Sequence, residues 1–291
     1  MQTSKPQPTP GDDAELRERF ARAARAERPD LALLCLLVSA AGDEEAAADG
    51  IDALVDTAQI ELDRLTGLLP FAPRRTPREW ADALAALLGE RAGFHGTAGD
   101  YERLDSSLLS AVLRRRRGLP ILLSVVWLEV ARRAGAPVHG VALPGHFVVG
   151  FGEPGGADQV LVDPFAGGRV LSAEDASALV SGATGTPLTP AMLHAADPVD
   201  VVLRVLGNIR AWAAGRPERG GVRLWAVELS LLLPHHPAPL RYERARLLVE
   251  RGAFLAGADA LEEYAALVAD VEPEAARGVR DEARAARARL N

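Results

Sequence analysis

Cysteine is almost missing from this chain of 291 residues; Cys35 stands alone. One cysteine excludes an intrachain disulfide framework, which fits a reducing cytoplasm. It sits inside the apolar run LALLCLLVSA, where it reads as a buried, inert thiol. Lysine is just as scarce, with Lys5 the only one among 33 basic residues. With so much alanine, glycine and proline, that reads as coding bias, not chemistry. Positive charge is not in surplus either: the net charge is −7, which argues against nucleic acid as the main partner. Long apolar runs are absent, since Asp, Glu or Arg interrupts each one, and no membrane-spanning helix is expected. The opening MQTSKPQPTPGDD has no apolar stretch of the signal-peptide kind, so residues 1–11 read as a disordered leader. Aromatic residues make up only 5%. Trp127, Trp212 and Trp225 are isolated and read as helix-packing residues with no stacking series.

What is present is an ordinary globular balance of 48% hydrophobic and 25% charged residues. Residues 12–93 read as helices. DDAELRERFARAARA offers an aspartate cap, RPDLALLCLLVSAAG runs from Pro29 to Gly42, and DEEAAADGIDALVDTAQIELDRLTGLL is one longer amphipathic stretch. TPREWADALAALLGERAG has Thr76 as cap, Pro77 at the first helical position and Gly93 at the end. DSSLLSAVLRRRRG reads as a helix closed by Gly118. Its run Arg114 to Arg117 reads as a solvated helix end, with an acid- or phosphate-binding patch as the alternative. LPILLSVVWLEVARRAG then starts at Pro120 and ends at Gly135, apolar enough to be buried on most sides.

Three short strands are expected next, in PVHGVAL, HFVVGF and QVLVDPF. The last two flank a glycine-rich loop. A hairpin centred between Pro154 and Gly155 sets His146 directly opposite Asp163, unless a bulge or slip intervenes. The segment 164–197 reads as loop with one short helix. From 198 the chain returns to helices in PVDVVLRVLGNIRAWAAG, GGVRLWAVELSLLLP, APLRYERARLLVERG and FLAGADALEEYAALVAD, with Pro234 and Pro273 closing helices. Their small residues, Ala226, Ala245 and Ala258, and Gly252 between two helices suggest about two tetratricopeptide-like pairs.

A helix N-terminus beside a hairpin carrying His and Asp resembles papain-like and transglutaminase-like cores. The stretch GFHGTAGDYERLDSSLLSAVLRRRRGLPILLSVVWLEVARRAGAPVHGVALPGHFVVGF, then LVDPFAGGRVLS, and later VLRVLGNIRAW and ERARLLVERGAFLAGADALEEYAAL carry the resemblance over residues 84–268. It is similar in particular to the SirB-type branch, in which such a core precedes tetratricopeptide-like helices. The fold class implied is α+β: a helical N-terminal region at 12–93, a papain/transglutaminase-like core with a small antiparallel sheet at 94–197, and TPR-like helices at 198–291.

By that resemblance His146 matches the core histidine and Asp163 the core aspartate, while Tyr101, Ser106, Ser107, Pro120 and Gly145 surround the pocket. Ser106-Ser107 replaces the Asn-Ser usual there. The cysteine nucleophile would fall at about Pro120, and no cysteine lies nearby. Ser124, one turn deeper, is a weak substitute, otherwise a small residue bonding the carbonyl at position 120. Ser106, Ser107 and Ser110 read as helix caps. The His146–Asp163 pair is open to three readings: retained architecture, a ligand pocket, or acid–base work. A metal site from His139, His146 and Asp163 lacks a close-spaced ligand pair, so no metal and no cofactor is expected. His95, His194, His235 and His236 read as loop, helix-end and turn residues. The resulting expectation is a binding or regulatory module with a protein or peptide partner on the repeats and a possible small-molecule or peptide ligand in the core. The alternative is an amide- or peptide-processing enzyme in which His146 is the base.

Overall fold

The computed structural model describes residues 10–43, 45–72 and 74–289. The leader read at 1–11 lies outside them except for Pro10 and Gly11, which open α1 (Pro10–Ala24), so the expected aspartate cap lies inside the helix. Asp30 caps α2 (Leu31–Gly42) by accepting the Leu33 N–H. The long helix expected from Asp43 onwards begins only at Ile51, because Gly50 takes φ +97°, outside the helical region. That helix is α3 (Ile51–Gly67). Thr76 and Glu79 form a reciprocal capping box at the start of α4 (Pro77–Leu84), which continues as a π-helical turn, Ala85–Arg91.

Two 3₁₀ turns, Ala98–Glu102 and Leu104–Ser107, lead into α5 (Leu109–Arg115). It is closed by Arg116 at φ +60°, not by Gly118. That unusual conformation for a side-chain-bearing residue is offset by an ion pair to Glu61 and by stacking on the Phe94 ring, 4.6 Å away. α6 (Pro120–Arg133) is buried from Pro120 through Ala131. Trp127 on it is fully buried and meets Phe94 edge-on at 6.0 Å.

The sheet has four antiparallel strands in the order β1 (Val138–Val141), β2 (Val148–Phe151), β3 (Val160–Asp163) and β4 (Arg169–Leu171). β4 was expected to be loop; with three residues it is too short to show alternation. The β2–β3 register also differs from expectation. Val149 faces Val162, a slip of two residues that leaves His146 diagonal to Asp163 instead of opposite. Because side chains alternate with period two, that slip keeps both on one face of the sheet.

Ser172 caps α7 (Ala173–Thr184), and α8 (Pro198–Ala214), α9 (Gly220–Leu232), α10 (Pro239–Glu250), α11 (Phe254–Val268) and α12 (Pro273–Ala288) complete the chain. The last was missed: Pro273 opens a helix at its first position, as well as following one. One apolar core joins α1–α6, the inner sheet face and α8–α9, including Phe20, Leu62, Trp127, Phe151 and Val205. A separate cluster joins α10–α12, and a third packs α7 on the outer sheet face. Among the described residues no helix is long and apolar enough to cross a membrane.

Candidate functional site

The Pro144–Gly145 turn delivers His146 to the start of β2. Gly145 takes φ +72°, and the His146 amide donates to the Leu143 carbonyl at 3.1 Å. Asp163 ends β3, and the Gly168 amide closes the following loop on its carbonyl at 2.9 Å. His146 Nε2 lies 3.0 Å from Asp163 Oδ1, with the two side chains only 12% and 7% exposed. The same oxygen accepts the Phe165 N–H at 2.9 Å. An ionised carboxylate can only accept, so Nε2 carries the ring proton. Nδ1 has no hydrogen-bond partner among the described residues.

The Phe165 ring stands edge-on to His146 at 6.1 Å and to Tyr101 at 6.0 Å. It can do so because Gly96 leaves it room: a Cβ there would lie 2.0 Å from the ring. Tyr101 is half-exposed, and its hydroxyl pKa is pushed up by partial burial and by the charge of Asp163, against the opposing pull of Arg204. It therefore remains a neutral donor at ordinary pH.

On α6, Pro120 is buried at the helix start. Ser124 is fully buried, and its hydroxyl donates to the Phe147 carbonyl at 3.2 Å, not to the carbonyl at position 120 as expected. It ties the helix to the strand entry, and the residue has no exposed surface. Cys35 is also sealed, and burial followed by the charge of Glu129 pushes its thiol pKa up, away from a nucleophilic thiolate.

Nor do the upstream serines cap a helix. Ser106 donates to Asp100 at 3.2 Å and accepts from Arg115 at 3.4 Å, Ser107 is buried, and Ser110 donates to Asp43 at 2.8 Å. Ser106 and Ser110 belong to the network that holds the basic run. Arg114 reaches Asp43 at 2.8 Å, Arg115 and Arg117 reach Asp100 at 3.5 and 3.3 Å, and Arg116 pairs with Glu61. Each of the four arginines of the run thus has a carboxylate partner, with Arg114 half-exposed and the other three partly buried. Burial raises the pKa of both Asp43 and Asp100. Bonds from Arg114, Ser110 and the Ala46 amide at Asp43, and from Thr97, Arg117 and Ser106 at Asp100, outweigh it and hold both below the usual range.

His139 turns elsewhere, its Nε2 accepting from the Gln159 amide at 2.7 Å, and burial lowers its pKa. No three His, Cys, Asp or Glu side chains converge as a metal site among the described residues. Two groups that sequence reasoning overlooked complete the site. Phe165 was visible as the aromatic of DPF. Arg204 of α8 had no local signal; it donates to the Leu143 and His146 carbonyls at 3.0 and 2.8 Å.

Residues 45–207 match the family described as the transglutaminase-like superfamily, and residues 209–291 match the tetratricopeptide repeat. A protein of Xylella fastidiosa (strain 9a5c) named UPF0162 protein is 33% identical over 170 residues, 56% of this chain and 60% of that protein. F-box only protein 21 of Mus musculus is 30% identical over 162 residues, 54% of this chain and 25% of that protein. The chain thus spans 60% of the length of the first of these relatives and a quarter of the other. A crystal structure of menin overlaps 98% of this chain and 70% of its own, with a TM-score of 0.44 and 13% identity.

Proposed function

Because the chain belongs to the transglutaminase-like superfamily, yet its one cysteine is sealed in α2, we propose that it is a pseudoenzyme: a binding or regulatory module that keeps a His146–Asp163 pocket and adds a protein-interaction tail. The observation that carries this reading is the state of α6, whose first turn offers a buried proline and a buried, hydrogen-bonded serine where acyl transfer would need an exposed nucleophile. The order of core and repeats supports a SirB-type assignment, and the lone thiol supports a cytoplasmic setting. The ligand face comprises Tyr101, Gly145, His146 and Phe165, while Ser106, Ser107 and Pro120 are buried. No cofactor is part of the proposal. In the tail, α9, α10 and α11 enclose a groove of about 370 Å³ lined by Leu231, Arg241, Arg244, Tyr264 and Leu267, which suits a protein or peptide partner.

A second reading has its own support. The unpartnered Nδ1 and the residual opening over the ring would suit a general base that activates water or an amine, with Asp163 as its orienter. Glutamine-containing peptides offered with a primary amine separate the two. Neither ammonia release nor amine incorporation is expected from the full chain or from His146→Ala. Turnover by the wild type that His146→Ala abolishes would overturn the pseudoenzyme reading. For the tail, full-length bait carrying Arg241→Glu and Arg244→Glu should lose partners that the wild type captures. Identical capture by both removes the groove from the proposal.

A further inference from the structure

Arg204 lies on α8, the helix in which the core match ends at 207 and shortly before the repeat match begins at 209. It is half-buried, makes no ion pair among the described residues, and burial lowers its pKa. A guanidinium removed from water without a carboxylate must find its compensation in hydrogen bonds. Here it finds two. Nη1 donates to the Leu143 carbonyl and Nη2 to the His146 carbonyl, so one planar fork grips both ends of the Pro144–Gly145 turn. Its Cζ also stands 5.8 Å over the Phe147 ring, the residue after the histidine. The turn itself contributes one internal bond, from the His146 amide to Leu143. Only Gly145 of the turn is exposed, and the Ser124 bond to the Phe147 carbonyl lies one residue further on, so the carbonyl of His146 itself is held by Arg204.

We propose that Arg204 is a positioning residue for His146: helix α8, not the hairpin alone, sets the imidazole on Asp163. The inference rests on the reading that His146 is the working group of the core. It adds that the pocket is built only where the core meets the tail. Further along the same helix, Arg210 pairs with Glu243 of α10 at 2.8 Å, so α8 is anchored to the site by one arginine and to the tail by another.

The test uses the full ¹⁵N-labelled chain and follows the ring Nε2–H of His146, assigned by its loss in His146→Ala. The wild type should show this proton protected from exchange by Asp163. In Arg204→Met, which keeps a stem over Phe147 but has no donors, exchange should be at least about tenfold faster. Arg210→Met, which cuts only the tail-side pair, should leave it within about twofold. Arg204→Lys keeps the charge but replaces the planar fork with a single point of donation, and should also exchange faster; it decides the matter if the methionine variant does not fold. An unprotected wild-type proton overturns the proposal. So do folded Arg204 variants that exchange at the wild-type rate, or an equal acceleration by Arg210→Met. No ligand enters the measurement, so turnover that sinks the pseudoenzyme reading would leave this result standing, and an unmoved ring proton would sink only the role of Arg204.

Discussion

Asp163 uses one oxygen for two donors, the His146 ring and the Phe165 amide. Such a pair can outlast a lost nucleophile, because removing either partner strands the other in a largely buried place. The sequence pointed to the pair through a hairpin count and a family resemblance; the count placed the two directly opposite, and the structure sets them diagonal, two residues out of that register. Its clamp was not legible there: Arg204 lies 58 residues from His146 and carries no pattern of its own. The basic run shows the same limit, because its acidic partners come from α2, α3 and a 3₁₀ turn. Those carboxylates also make an acid-sensitive device. The Arg64 bond, against opposing burial and with help from Arg116, brings Glu61 down to about 2, and Asp43 and Asp100 are lowered too. Carboxylates depressed in the fold bind fewer protons there than in the unfolded chain. Their contribution is therefore complete above the ordinary carboxylate range and lost as pH falls through it toward the folded values. The urea midpoint should hold steady down to about pH 5, then fall below about pH 4, and Asp100→Asn should flatten that fall. A midpoint that does not change between pH 5 and 3 would contradict this.

The stretch from Thr76 to Gly93 was expected to be one helix, and it is continuous, but its second half is π-helical. Periodicity reports which face is buried and cannot tell one helical hydrogen-bond pattern from another. The π-helical segment brings Gly89 against the loop after Asp163, where a Cβ would lie 1.9 Å from the Gly167 carbonyl oxygen; a Cβ on Gly168 would lie 2.8 Å from Ala85. Gly89→Ala should therefore push on the loop that carries Phe165 and cost about 1–3 kcal/mol, read as a lower melting temperature. Gly67→Ala, at a helix end with nothing within 4 Å, should be neutral or slightly stabilising. Equal effects from the two would argue against the close contact.

Across the whole molecule, the apolar side chains divide after α9 and not at the start of the helical tail. Val202, Val205, Leu206 and Ile209 of α8 are fully buried in the main core, whereas α10–α12 have their own cluster built mostly from alanines. A chain ending at Asp197 should fail to fold, because it uncovers the face that α8 protects. One ending at Pro234 should keep a cooperative melting transition and the protected His146 ring proton. Circular dichroism melts of the two truncations check this, and a folded Asp197 truncation would refute it.

The sequence by itself determined the fold class, the succession of helices, sheet and repeat-like tail, the His–Asp pairing and the missing thiol. The succession of elements follows from local signals, namely turn residues, caps and periodicity, while the transglutaminase-like core, its His–Asp pair and the missing thiol are what the family resemblance implied. Only the tertiary structure decided the hairpin register, the partners of Ser124 and of the four arginines, and the grip of Arg204 on the histidine turn. Each of those is set by which distant groups share a small buried volume, and hydrogen bonds across tens of residues leave no trace in spacing.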